Sequence, residues 1–196
     1  MKHEENQSEA RYRIVSTALD LFYRQGYIAT GINQVIAEAG VSKNTFYYYF
    51  PAKDDLCVAY LKERHNVWMG WFNNKIKPYK NPYDRVLAVF DFLESWLTDC
   101  NFRGCAFLNI TSEIPEINHK IRHEVISHKD SFRMTLRDLI EVLKKEDARF
   151  SKINVQFFAD SLYVLFEGAV SSCQNYGKPD FIDAARKNFK KLLNTT

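Results

Sequence analysis

Apolar residues return every three or four positions along almost the whole chain. Ile14, Val15, Ala18, Leu19 and Phe22 share one such face, and Val86, Val89, Phe90, Leu93 and Leu97 share another. That spacing is the 3.6-residue period of a helix buried on one side. No stretch alternates apolar and polar residues as a half-buried strand does. With only 7 Gly and 5 Pro in 196 residues, there is little to punctuate many short strands. An all-α fold is expected.

The breaks that do occur divide the chain into about nine helices. Residues 1–8 are polar and expected to fray. The first helix runs from about Ser8 and ends at Gly26. A short second helix spans Ile32 to Ala39 and is expected to bury Ile32, Val35 and Ile36. Gly40 supplies the turn, Val41 can plug the core behind it, and Ser42 can cap the third helix. That helix, Lys43 to Phe50, is stopped by Pro51. A long fourth helix opens near Lys53 with Asp54 and Asp55 in its first turn, where carboxylates complement the dipole. It is expected to reach about Lys77, ahead of the PYKNPY break. Further helices are expected over 84–98, 106–112, 115–145, 152–173 and 179–193.

The stretch from Gly26 to Leu56 carries the functional signal. Two short helices joined by a glycine turn, with a helix before and another after, have the anatomy of a helix-turn-helix. The third helix is odd for a core element. It offers Lys43, Asn44, Thr45, Tyr47 and Tyr48 outward and buries little beyond Phe46 and Phe50. Short polar side chains near a helix N-terminus suit base edges in a major groove. Tyrosine hydroxyls and a terminal lysine suit phosphates, which set register. Overall charge does not add to this reading. The net charge is +3, and residues 1–56 hold six Lys/Arg against seven Asp/Glu.

The same stretch resembles the signature of TetR/AcrR-family transcriptional regulators. Its parts are Gly26-Tyr27, the turn Ile36-Ala37-Glu38-Ala39-Gly40-Val41-Ser42, the helix Thr45-Phe46-Tyr47-Tyr48-Tyr49-Phe50 and the exit Lys53-Asp54-Asp55-Leu56. The run Arg103-Gly104-Cys105-Ala106-Phe107-Leu108-Asn109 resembles the sixth-helix opening of one subgroup. The resemblance implies a DNA-binding domain over 1–52 and a helical effector-binding and dimerisation domain over 53–196. It implies phosphate contacts at Thr30 and Lys53, base and nearby backbone contacts at Ser42, Lys43, Asn44 and Thr45, and a backbone grip at Tyr47 and Tyr48. Asn44 stands where glycine is common, and Tyr49 where histidine is frequent. The implied partners are palindromic double-stranded operator DNA, a second copy of the chain and a small-molecule effector, with repression relieved by that effector.

Two further groupings come with this expectation. Phe157, Phe158, Leu162, Leu165, Phe166 and Val170, with Ala169 small enough for close approach, form an apolar face suited to a two-fold dimer. Trp68, Trp71, Phe72, Trp96, Cys105, Phe107, Asn109 and Phe166 are candidates to line an effector pocket, or are plain core. Cys100 and Cys105 flank a short loop with Arg103, which leaves a thiol-based redox or electrophile sensor as the alternative to two small apolar fillers. The pair His119 and His123 reads as surface ahead of metal ligation. No nucleophile elbow, HExxH or phosphate-binding glycine loop appears, so neither catalysis nor a cofactor is expected. Met1 leads into a polar run, and no apolar stretch reaches the ~18 residues of a membrane span. A cytoplasmic protein with reduced thiols is expected.

Overall fold

The computed structural model describes residues 2–195, with side chains from residue 9 onward. Among the described residues there are nine α-helices, one 3-10 turn and no strand. The helices are α1 (Lys2–Gln25), α2 (Ile32–Ala39), α3 (Lys43–Tyr49), α4 (Lys53–Ile76), α5 (Pro82–Asp99), α6 (Ala106–Glu113), α7 (Lys120–Glu146), α8 (Val155–Tyr176) and α9 (Asp180–Leu193). The 3-10 turn is Ala148–Phe150. The first helix thus begins before the expected Ser8; the side chains of residues 1–8 lie outside the described ones. The seventh begins at Lys120, not at Pro115. Its first turn is opened by a histidine, since His119 Nδ1 accepts the Ile121 N–H at 3.3 Å.

The helices make two compact units. One holds the residues up to Val67 together with Ala106–His128; the other holds Trp68–Cys105 with the residues from Lys129 onward. The expected 1–52 head lies inside the first unit, which is larger because α2 and α3 are too short to enclose a core. Ile14, Ala18, Leu21 and Phe22 of α1 are buried there, with Phe46, Phe50, Leu56, Tyr60 and Leu61. Phe107, Ile110, Ile121 and Val125 add a further buried set from α6 and α7. Phe22 sets its ring edge-on to both Tyr27 and Tyr60, at 5.5 and 5.4 Å. Arg64 ties α4 to α1, donating to the Leu19 carbonyl at 2.9 Å beneath the Tyr23 ring.

The second unit is built on aromatic rings. Trp68 stacks on Phe72 and takes Phe92, Trp96, Phe132 and Phe166 edge-on, with centroids 5.0–6.3 Å apart. Such pairs add about 0.5–1.5 kcal/mol each beyond the area they bury. A mostly buried ion pair lies in the same unit. Lys129 Nζ donates to both Glu167 oxygens at 2.8 Å and approaches Cys105 Sγ at 3.7 Å. Burial pulls the ammonium pKa down, but Cys105 and Glu167 outweigh it and hold it above the usual lysine range.

Candidate nucleic-acid interface

The turn between α2 and α3 is made by local chemistry. Gly40 stands at φ 61°, ψ 41°, the left-handed region, and its N–H closes α2 by bonding to Ala37 and Ile36 carbonyls. Ser42 then caps α3: its Oγ accepts the Thr45 N–H at 3.0 Å and meets Thr45 Oγ1 at 2.8 Å. Helix α3 turns one ring inward, Phe46, and Phe50 closes its end; both are buried. Lys43 and Asn44 are exposed, and Thr45 is half-buried. Tyr47 and Tyr48 are 40% and 69% exposed. Tyr49 is half-buried, its ring edge-on to Tyr48. Of the outward set read from sequence, Lys43, Asn44, Tyr47 and Tyr48 are exposed and Thr45 is not fully so, whereas Ile32 and Ile36, expected in the core, are only half-buried.

Two expected phosphate contacts have other employment here. Thr30 is fully buried, and its hydroxyl donates to the Gly26 carbonyl at 2.7 Å. The side chain thus anchors the loop and, with the whole residue buried, is not placed to meet a phosphate. Lys53 donates to the Ile28 carbonyl at 3.2 Å, with Nζ 4.4 Å from the centre of the Tyr27 ring. Burial lowers its pKa, partly offset by Cys57, Glu113 and Asp54. The Tyr27 hydroxyl donates to Asp54, and burial together with that bond raises the phenol well above its usual range. These ties hold the loop before α2 against the start of α4.

The expected effector residues divide. Trp68, Phe72, Trp96 and Phe166 are buried together in the aromatic cluster, while Phe107 and Asn109 lie in the first unit. Phe107 stacks flat on His128 at 3.6 Å. His128 Nδ1 lies 3.0 Å from His65 Nδ1, a part-buried pairing that sequence reasoning did not find. Trp71 and Trp96 instead line a cavity of about 480 Å³ between α4 and α5, with Phe92, Asn74, Lys75, Ser95, Asp99 and Cys100. All four cysteines are free thiols, Cys105 buried and Cys100 half-buried. Among the described residues, no group of three or more His, Cys, Asp and Glu could hold a metal ion. No described helix is long and apolar enough to cross a membrane.

The expected dimer face needs correcting. Phe158, Leu162, Phe166, Ala169 and Val170 are buried within the chain itself. Steps of three and four from Phe158 place them on the inner side of α8. The outer side carries Phe157, Ser161, Val164 and Leu165, and with Asn188 and Leu192 of α9 it forms an open groove of about 790 Å³. Val164, 65% exposed, was not among the expected residues.

Comparison with known proteins gives two matches along the chain. Residues 14–60 match the family described as bacterial regulatory proteins, tetR family. Residues 82–189 match the tetracyclin repressor-like C-terminal domain. An HTH-type transcriptional regulator in the lacX 3' region of Lactococcus lactis is 25% identical over 145 residues, 73% of this chain and 68% of that protein. The Escherichia coli regulator RutR is 30% identical over 86 residues, 44% of this chain and only 39% of its own length. A TetR-family transcriptional regulator from Streptomyces coelicolor superposes with a TM-score of 0.81 at 28% identity, covering 96% of each chain.

Proposed function

The chain belongs to the TetR family of bacterial regulatory proteins, and from that premise we propose that it is a one-component repressor, binding a palindromic operator as a homodimer and released by a small molecule. Its fold and family are those of DNA-binding regulators. The observation that carries the reading is α3: a capped, preorganised helix whose N-terminal polar residues and two tyrosines face outward. Lys43, Asn44 and Thr45 read base edges, with the Asn44 amide suited to adenine. Tyr47 and Tyr48 grip phosphates and set register. Residues 1–52, with Lys53 at the start of α4, do the DNA work, and 53–196 supply dimerisation and effector binding. The outer stripe of α8, with α9, meets its copy across a two-fold axis, so that two heads reach successive major grooves about 34–36 Å apart.

The effector site of this reading is the cavity lined by Trp71, Phe92 and Trp96, mostly apolar in surface with Asn74, Lys75, Ser95 and Asp99 as its polar groups, as small-molecule sites are built. Binding there lowers operator affinity by linkage, typically by about 1–3 kcal/mol.

Selection of duplexes from a random library tests the reading. Recovery of a two-fold symmetric site by the wild-type chain is expected; recovery of no site sinks it. Salt dependence adds a number. With Lys43, and Lys53 through the two ammonium protons that its bond to the Ile28 carbonyl leaves over, as the cations of each head, a dimer neutralises about four phosphates, so log K should fall with log salt at a slope of about −4. Tyr48→Ala is expected to weaken operator binding by at least about 10²-fold, since the dimer loses two bonds to a charged acceptor and each contributes about 1.5–3 kcal/mol. Its melting temperature should stay unchanged, because the side chain is mostly in solvent. Equal affinity in a gel shift would remove Tyr48 from the interface.

A further inference from the structure

Glu113 is the last residue of α6. A helix C-terminus is the unfavourable end for a carboxylate, because the free carbonyls there carry partial negative charge. What offsets this is a pair of backbone donors. The Tyr27 N–H bonds to Glu113 Oε1 at 3.1 Å and the Ile28 N–H to Oε2 at 2.6 Å. One carboxylate thus holds two successive peptides of the loop between α1 and α2.

The residue just before them is shaped to admit it. Gly26 has φ +93°, and a Cβ there would lie 3.1 Å from Oε1 and 3.3 Å from Oε2. The loop is also fixed from its other sides, by Thr30 on the Gly26 carbonyl, Lys53 on the Ile28 carbonyl and Tyr27 on Asp54. Asp54 in turn meets His119 Nε2 at 3.2 Å, and Asp55 meets Lys120 Nζ at 2.7 Å. The segment that leads into the helix-turn-helix is therefore gripped by the end of α6, and the residues after α6 bind the start of α4.

We propose that Glu113 is a positioning residue for DNA binding: its carboxylate sets where the loop ahead of α2 stands, and so makes operator affinity depend on the position of the end of α6. This deepens, and rests on, the DNA-binding reading above. It gives a route by which displacement of α6 weakens operator binding with no change in any DNA-contacting residue. Gln at this position keeps the shape but offers one acceptor where two are needed, and turns an NH₂ group toward an N–H.

Three measurements decide it: amide hydrogen exchange, operator affinity on a duplex enriched by the wild-type chain, and thermal melting, each on wild type, E113Q and E113A. In the wild type, the Tyr27 and Ile28 amides are expected to be protected like those inside α2, although Ile28 itself is exposed. Exchange at the rate of an open loop overturns the clamp without needing a variant. In E113Q and E113A these two amides are expected to exchange at least ten-fold faster. Operator affinity should fall about ten-fold with an unchanged salt slope, and the melting temperature should stay within a few degrees. Wild-type affinity in both variants overturns the inference alone. A wild-type chain that enriches no duplex overturns the DNA-binding reading and this role with it, while the exchange arm still reports on the clamp.

Discussion

Replacing Trp68 with alanine is expected to cost about 3–5 kcal/mol of stability, the range for truncating a buried large aromatic. Trp68 is only 4% exposed and touches five aromatic rings from α4, α5, α7 and α8. Removing the indole leaves a hole bounded by rings that cannot all move inward together, so the cavity persists and its cost adds to the lost burial. In a chain of this size each kcal/mol shifts the melting temperature by about 2–4 °C. A drop of roughly 6–20 °C is therefore expected by circular dichroism. The result also separates two readings of these aromatics. If Trp68 and its neighbours are structural core, the full loss appears. A loss near 1 kcal/mol would mean that the cluster is loosely packed, with room held open for a ligand, and the effector site would then move from the α4–α5 cavity to this cluster.

Val164→Glu should leave the folded subunit intact and abolish the dimer. Val164 stands on the outer side of α8 with most of its surface in solvent, so the change disturbs no packing within the chain. In the proposed dimer the same residue sits near a two-fold axis, where a carboxylate would be desolvated opposite its own copy. Sedimentation should show a monomer with the wild-type helical content. Operator binding should fall about 10²–10⁴-fold, the gain that joining two modest half-site contacts provides. A variant that sediments as a wild-type dimer would mean that the outer stripe is not the interface.

The parts of the fold that sequence reveals are those decided within a few residues. Gly40, Ser42 and Pro51 set the turn, the cap and the stop of α3, and each acts on its immediate neighbours. The inward Phe46 and the outward tyrosines follow from the helical period once those ends are fixed. The points where structure and expectation differ have the opposite character. Helix α8 is apolar on two sides, so period alone cannot say which side faces its own core; the larger rings, Phe158 and Phe166, suit an interface by size and are interior. Pro115 is a favoured residue type for a first helical position, yet α7 is opened by His119, which lies outside the usual capping set. Thr30 has the size and polarity of a phosphate ligand, and only the folded loop shows its hydroxyl engaged by a carbonyl. Glu113 lies 85 residues from the Ile28 amide whose hydrogen bond it accepts. No local pattern marks such a contact, although Gly26 carries half of the signal.

The even charge balance of residues 1–56, six Lys/Arg against seven Asp/Glu, bears on how a regulator of this kind would find its target. Arrest on arbitrary chromosomal sequence is driven by displaced counterions, and a head of little net charge that grips in part through phenol hydroxyls displaces few of them. Such a protein would slide over short distances and pass much of its time in free solution between encounters. A small number of copies per cell would then suffice to keep one promoter occupied, and clearing that promoter would not be slowed by molecules returning from neighbouring DNA.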